Sequence, residues 1–148
     1  MSATRTVKPG APGKPGKALI ASLAAAAHRA RDNAYAPYSK YRVGAAIATA
    51  SGKIHAGCNI ENAAYPSGIC AERAAIAAMV TAGDRDPIAC VIVTGGKVPG
   101  PPCGMCRQVL VEFARKMPII LIGVHSGGET RRALDLETLM PEVFVLKP

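Results

Sequence analysis

Tryptophan is absent from this 148-residue chain, and aromatic residues make up only 4% of it. Alanine and short aliphatics must therefore supply the packing, which favours helices lying close against a sheet. No run of 18 or more apolar residues occurs, so no membrane-spanning helix is expected. The N-terminus lacks the apolar stretch of a secretory signal, and the expected location is cytoplasmic. Acidic residues are missing from the first 17 positions, which carry Arg5, Lys8, Lys14 and Lys17. Half of the formal charge of +8 thus sits on a Pro/Gly-rich segment that has little apolar surface to bury. Residues 1–16 are read as a basic, disordered tail, and residues 17–148 as one domain. Apolar residues are 49% of the chain, enough for a real core. With few aromatics to stack bases and its basic excess largely on the tail, the chain is not expected to bind nucleic acid.

Five cysteines are present, at 58, 70, 90, 103 and 106. An odd number without a secretion signal argues against a disulfide framework and for metal binding or catalysis. Periodicity supplies the scaffold around them. Residues 17–35 have apolar positions at helical spacing, ended by Ala36-Pro37. Residues 42–50 and 53–58 flank Ser51-Gly52 as an antiparallel hairpin. Residues 59–69 are rich in turn formers. Residues 70–82 form a helix closed by Gly83. The runs 88–94 and 119–124 are continuously apolar, as buried strands are, and a helix over 104–116 lies between them. A short strand near 130–133 and a short helix over 134–140 complete the chain. Strand–helix–strand alternation implies a right-handed crossover with parallel strands. The expected fold is α/β: three layers, α/β/α, around a mixed five-stranded sheet.

Two segments carry chemistry: Cys70-Ala71-Glu72 and Pro102-Cys103-Gly104-Met105-Cys106. Each begins a predicted helix, where unpaired N–H groups and the positive end of the dipole favour thiolate, the metal-binding form. A two-residue gap lets Cys103 and Cys106 meet one ion, with Cys70 as third ligand if the two helices start side by side. Three ligands leave a fourth position for water, whose pKa zinc lowers toward neutrality. Glu72, two residues after a ligand, can reach that water and shuttle its proton. Arg73 can offset the negative charge of three thiolates by hydrogen bonding to sulfur. A redox pair would leave Cys70 and Glu72 without a role. A structural zinc would need a fourth ligand, for which Cys58, Cys90, His55 and His125 are the available residues; the two cysteines, in predicted strands, read as core. His28, in the first helix, reads as a packing or surface residue.

The combination resembles the small homotetrameric zinc-dependent cytidine deaminases, whose signature pairs ligand-x-Glu with Pro-Cys-x-x-Cys. The likeness runs from about Lys17 to Phe144. It is carried by residues 34–46, Gly57 to Tyr65, Cys70 to Arg73, Pro102 to Gln108, Leu139 to Pro141, and Phe144. It implies one Zn2+ per chain and hydrolytic deamination of cytidine and 2′-deoxycytidine, a step of pyrimidine salvage. A modified cytosine nucleoside, a nucleoside antibiotic or the free base are the alternative substrates. It further implies that Asn59 and Glu61 hold the ribose 3′-hydroxyl, that the Ala71 N–H holds the base carbonyl, and that Tyr41 stands where the family stacks a Phe on the pyrimidine. Tyr65 and Phe144 match positions that enter a neighbouring subunit's site in a homotetramer.

Overall fold

In the computed structural model, residues 14–146 are described; of the expected tail, residues 1–13 lie outside them. Helix α1 (Lys17–Asp32) is followed by strands β1 (Gly44–Thr49) and β2 (Ile54–Cys58), a 3-10 turn (Tyr65–Ser67) and helix α2 (Ala71–Thr81). Strand β3 (Pro87–Gly95), helix α3 (Gly104–Val111), strands β4 (Pro118–His125) and β5 (Gly128–Asp135), and helix α4 (Leu136–Leu139) complete the order. The sheet runs β2-β1-β3-β4-β5; β3 and β4 are parallel and every other neighbouring pair is antiparallel. Among the described residues no helix is long and apolar enough to cross a membrane.

Strand side chains alternate between two cores. On one face Ala46, Ala48, Val91, Val93 and Ile122 pack against Leu23, Ala24 and Ala27 of α1. On the other, Ala45, Ile47, Ile92, Ile119 and Leu121 pack with Ala75, Met79 and Leu110 of α2 and α3. Both faces are covered, which is why β1 is buried along its whole length and why β3 and β4 read as unbroken apolar runs. The alanine-rich composition permits a close fit. A Cβ on Gly44 would lie 2.5 Å from the Arg31 backbone nitrogen of α1, and one on Gly57 would lie 2.7 Å from the Ala74 carbonyl carbon of α2.

Helix α2 ends at the predicted glycine. Gly83 has φ +84°, its N–H donates to the Val80 carbonyl, and the Asp84 N–H donates to the Met79 carbonyl, a Schellman closure. Most boundaries shift by one or two residues, and three elements differ more in extent. Helix α1 stops at Asp32, before the expected residue 35, and α3 stops at Val111 rather than continuing to 116; past α3 the N–H groups of Phe113 and Ala114 both turn back to Leu110. Strand β5 is twice the expected length, because its edge position leaves Glu129, Arg131 and Arg132 exposed and gives it no apolar pattern to read.

Candidate active site

Strand directions place the site. β2 and β3 are both antiparallel to β1, so they run the same way and end at the same edge; Gly44 pairs with Cys58 on one side and Val93 on the other. The chain leaving β2 leads into α2, and the chain leaving β3 leads into α3, so both helices begin at that edge. Cys70 and Cys103 are their N-cap residues, and neither uses its side chain to cap. The thiols are left free for another partner.

The sulfurs of Cys70, Cys103 and Cys106 lie within 4.8 Å of one another, and Cys70 Sγ and Cys103 Sγ are 4.0 Å apart. Sulfurs bound at about 2.3 Å around a tetrahedral zinc sit about 3.8 Å apart, so the donor set fits one Zn2+ per chain. Cys58, Cys90, His55 and His125 do not join the cluster. Cys90 is buried inside β3, and that burial pushes its thiol up. His55 Nε2 contacts Asp84 at 2.8 Å, His125 Nε2 contacts Thr130 at 3.1 Å, and His28 Nε2 contacts Glu129 at 2.7 Å.

The three thiols act on one another. Cys70 is drawn down to about 5, first by a hydrogen bond from the Cys106 thiol and then by Arg73 and Cys103, against burial. Cys106 moves up, chiefly because it donates to Cys70 and is buried. Arg73 Nη2 bridges the Gly68 carbonyl at 3.2 Å and Cys70 Sγ at 4.0 Å, while its Nε is buried without a hydrogen-bond partner. Glu72 is 5% exposed, and burial raises its carboxyl above the ordinary range, with Cys70 adding to the rise.

Two cavities meet here. The inner one, about 190 Å3, is lined by Tyr41, Asn59, Cys70, Ala71, Glu72 and Cys103 among others. The outer one, about 590 Å3, shares Asn59 and Cys70 and adds Glu61, Tyr65 and Arg73. Asn59 is not a simple turn residue: its Oδ1 accepts from the Val43 N–H and its Nδ2 donates to the Tyr41 carbonyl, both at 2.8 Å. Glu61 accepts from the N–H groups of Tyr38 and Ser39 and from the Ser39 hydroxyl, contacts that lower its pKa, the hydroxyl foremost. Tyr65 is 85% exposed at the outer cavity, whereas Phe144, 69% exposed, lines neither.

Sequence reasoning missed Ser39, which orients Glu61, and Thr94 and Gly100, which line the inner cavity. Ser39 lies inside the stretch that carries the family likeness, but its partner is 22 residues away. Nothing in the local pattern marks Thr94 or Gly100.

Residues 19–122 match the family model described as the cytidine and deoxycytidylate deaminase zinc-binding region. The chain is 46% identical over 126 residues to the cytidine deaminase of Sporosarcina psychrophila, covering 84% of this chain and 90% of that one. It is 39% identical over 116 residues to the cytidine deaminase of Halalkalibacterium halodurans, covering 78% and 86%. Its fold is similar to the crystal structure of cytidine deaminase from Burkholderia pseudomallei, with TM-score 0.78 and 38% identity over 84% of this chain and 98% of that one. It is also similar to that from Mycobacterium tuberculosis, with TM-score 0.71 and 35% identity over 86% and 98%.

Proposed function

This chain belongs to the family of cytidine and deoxycytidylate deaminase zinc-binding domains, and on that premise we propose that it hydrolyses the exocyclic amine of cytidine and 2′-deoxycytidine, releasing ammonia and the uridines. The observation that carries this reading is the buried Glu72 carboxylate beside three convergent sulfurs, on the wall of a cavity large enough for a pyrimidine. Cys70, Cys103 and Cys106 would hold the zinc, which when bound supplies a Lewis acid that activates water near neutral pH. Arg73 would offset the charge of the thiolates.

Glu72 takes a proton from water and returns it to the leaving nitrogen, and its burial excludes competing solvent protons. The Ala71 N–H, in the first turn of α2, is one of the helix's unpaired donors and holds the base carbonyl. Tyr41 gives the base a π-face. Asn59 and Glu61, at the junction of the two cavities, take the sugar hydroxyl and fix the nucleoside's register.

We assign residues 17–148 to the catalytic domain, 1–16 to an accessory tail, and the enzyme to pyrimidine salvage in the cytoplasm, where thiol ligands stay reduced. A homotetramer follows from the same reading: Tyr65 and Phe144, both exposed, complete a neighbouring subunit's site. Ultraviolet absorbance of cytidine with zinc-loaded protein tests the activity. Turnover of cytidine well above free cytosine is expected; no turnover of any cytosine nucleoside would remove the proposal.

A further inference from the structure

Resting on that reading, we propose that Gly100 is a positioning residue, matched to the hydroxyl of Tyr41 and fixing the aromatic wall of the inner cavity. Tyr41 is tethered at its root. Its N–H donates to Ser39 Oγ at 3.0 Å, and its carbonyl accepts from Asn59 Nδ2 at 2.8 Å. Those bonds hold the backbone but leave the ring free to turn about its side-chain torsions.

The tip of the ring is constrained at the opposite side of the cavity. A Cβ on Gly100 would lie 2.6 Å from the Tyr41 hydroxyl oxygen, while the next atoms it would meet belong to the Thr94 side chain, at 3.5 and 3.8 Å. Only the phenol would be overlapped. Gly100 is not among the glycines with positive φ, so what glycine provides here is room for the phenol and not a special backbone conformation.

The loop that carries Gly100 is itself anchored. The Gly100 N–H donates to Thr94 Oγ1 at 3.0 Å, and Thr94 is buried at the end of β3. With the loop anchored and the Tyr41 backbone tethered, the contact between position 100 and the hydroxyl is set by the ring's side-chain torsions alone. A phenylalanine in place of Tyr41 has only a hydrogen where the hydroxyl oxygen lies, so the close contact with position 100 belongs to this tyrosine.

A side chain at 100 would push the ring, because the phenol is the flexible partner and the loop is held. Tyr41 lines the cavity that also presents Glu72 and Ala71, so a displaced ring changes a wall of that cavity. A misplacement of about 1 Å of a substrate-positioning group can cost on the order of a hundredfold in rate.

The test is a double-mutant cycle on the zinc-loaded full chain, with Gly100→Ala, Tyr41→Phe and the combination. The expected result is a fall in kcat/KM for cytidine of about tenfold or more on adding Gly100→Ala to the wild type, and a fall of less than about twofold on adding it to Tyr41→Phe. Equal fold-changes in the two backgrounds would overturn the inference. A second readout does not depend on turnover. The chain has four tyrosines, so ring-labelled tyrosine gives a spectrum in which Tyr41 is identified by its loss in Tyr41→Phe. Gly100→Ala should move that resonance and leave the other three in place. An unmoved Tyr41 resonance overturns the pairing even if the enzyme is active. An inactive wild type would instead sink the assigned activity, and the resonance would still decide whether residue 100 places the ring.

Discussion

Two carboxylates sit at opposite ends of α2 and are treated in opposite ways. Asp84, after the helix, accepts from Ser51 at 3.0 Å and Thr49 at 3.2 Å, contacts His55 at 2.8 Å and lies 4.0 Å from Lys53. These partners hold its pKa below the ordinary value, the His55 contact foremost. Glu72, at the start of α2, is raised by burial and by the neighbouring Cys70. One end of the helix satisfies its charge and ties the β1–β2 hairpin to the α2–β3 turn. The other end keeps a carboxyl poorly solvated next to a buried, unpartnered Arg73 nitrogen. Full satisfaction serves stability; an unsatisfied group is a reservoir for chemistry.

Breaking the unsatisfied end should have the largest effect. Cys106→Ala, which removes the buried thiol of the cluster, should drop zinc from one per chain to near none and abolish turnover, as read by metal analysis and cytidine absorbance. Glu72→Gln should retain zinc and the fold but lose on the order of a thousandfold in kcat; retained activity would erase the contrast between the two carboxylates. Asn59→Ala should raise KM for cytidine by about tenfold or more, because it removes the sugar contact together with the bonds to Val43 and Tyr41, as measured by steady-state kinetics.

The smallest effect, confined to stability, belongs to the satisfied end. A lowered folded-state pKa means that Asp84 stabilises the fold above its unfolded value of 3.8, and that this contribution is lost as pH falls through the lower folded value. Asp84→Asn should therefore lower Tm at neutral pH without touching kcat, and the Tm gap to wild type should close as pH falls below about 4. A gap that stays constant down to low pH would mean the cluster does not act through the charge of Asp84.

The unsatisfied end was the more legible of the two in the sequence. Cys70, Glu72, Cys103 and Cys106 declare themselves because metal ligation restricts residue type and spacing, and because a helix start fixes where each side chain points. The Asp84 cluster joins residues up to 35 positions apart, and nothing local marks Thr49 or Ser51 as partners of an aspartate. The apolar runs of β3 and β4 are readable because both faces are covered, whereas β5 is an exposed edge whose existence depends on β4 having a free side. Gly100 escapes for a related reason: its constraint comes from Tyr41, which precedes β1 and is remote from it in the chain.

The placement of β1 between β2 and β3 also bears on how the three sulfurs are held together. Cys103, the N-cap of α3, and Cys106, in its first turn, are brought together by the helix start itself. Cys70 follows β2, and in the folded sheet β1 lies between β2 and the strand that leads to the other two cysteines. Convergence of the three sulfurs thus depends on β1 being paired on both sides, so the central strand is as much a part of the donor set's geometry as the two helix starts.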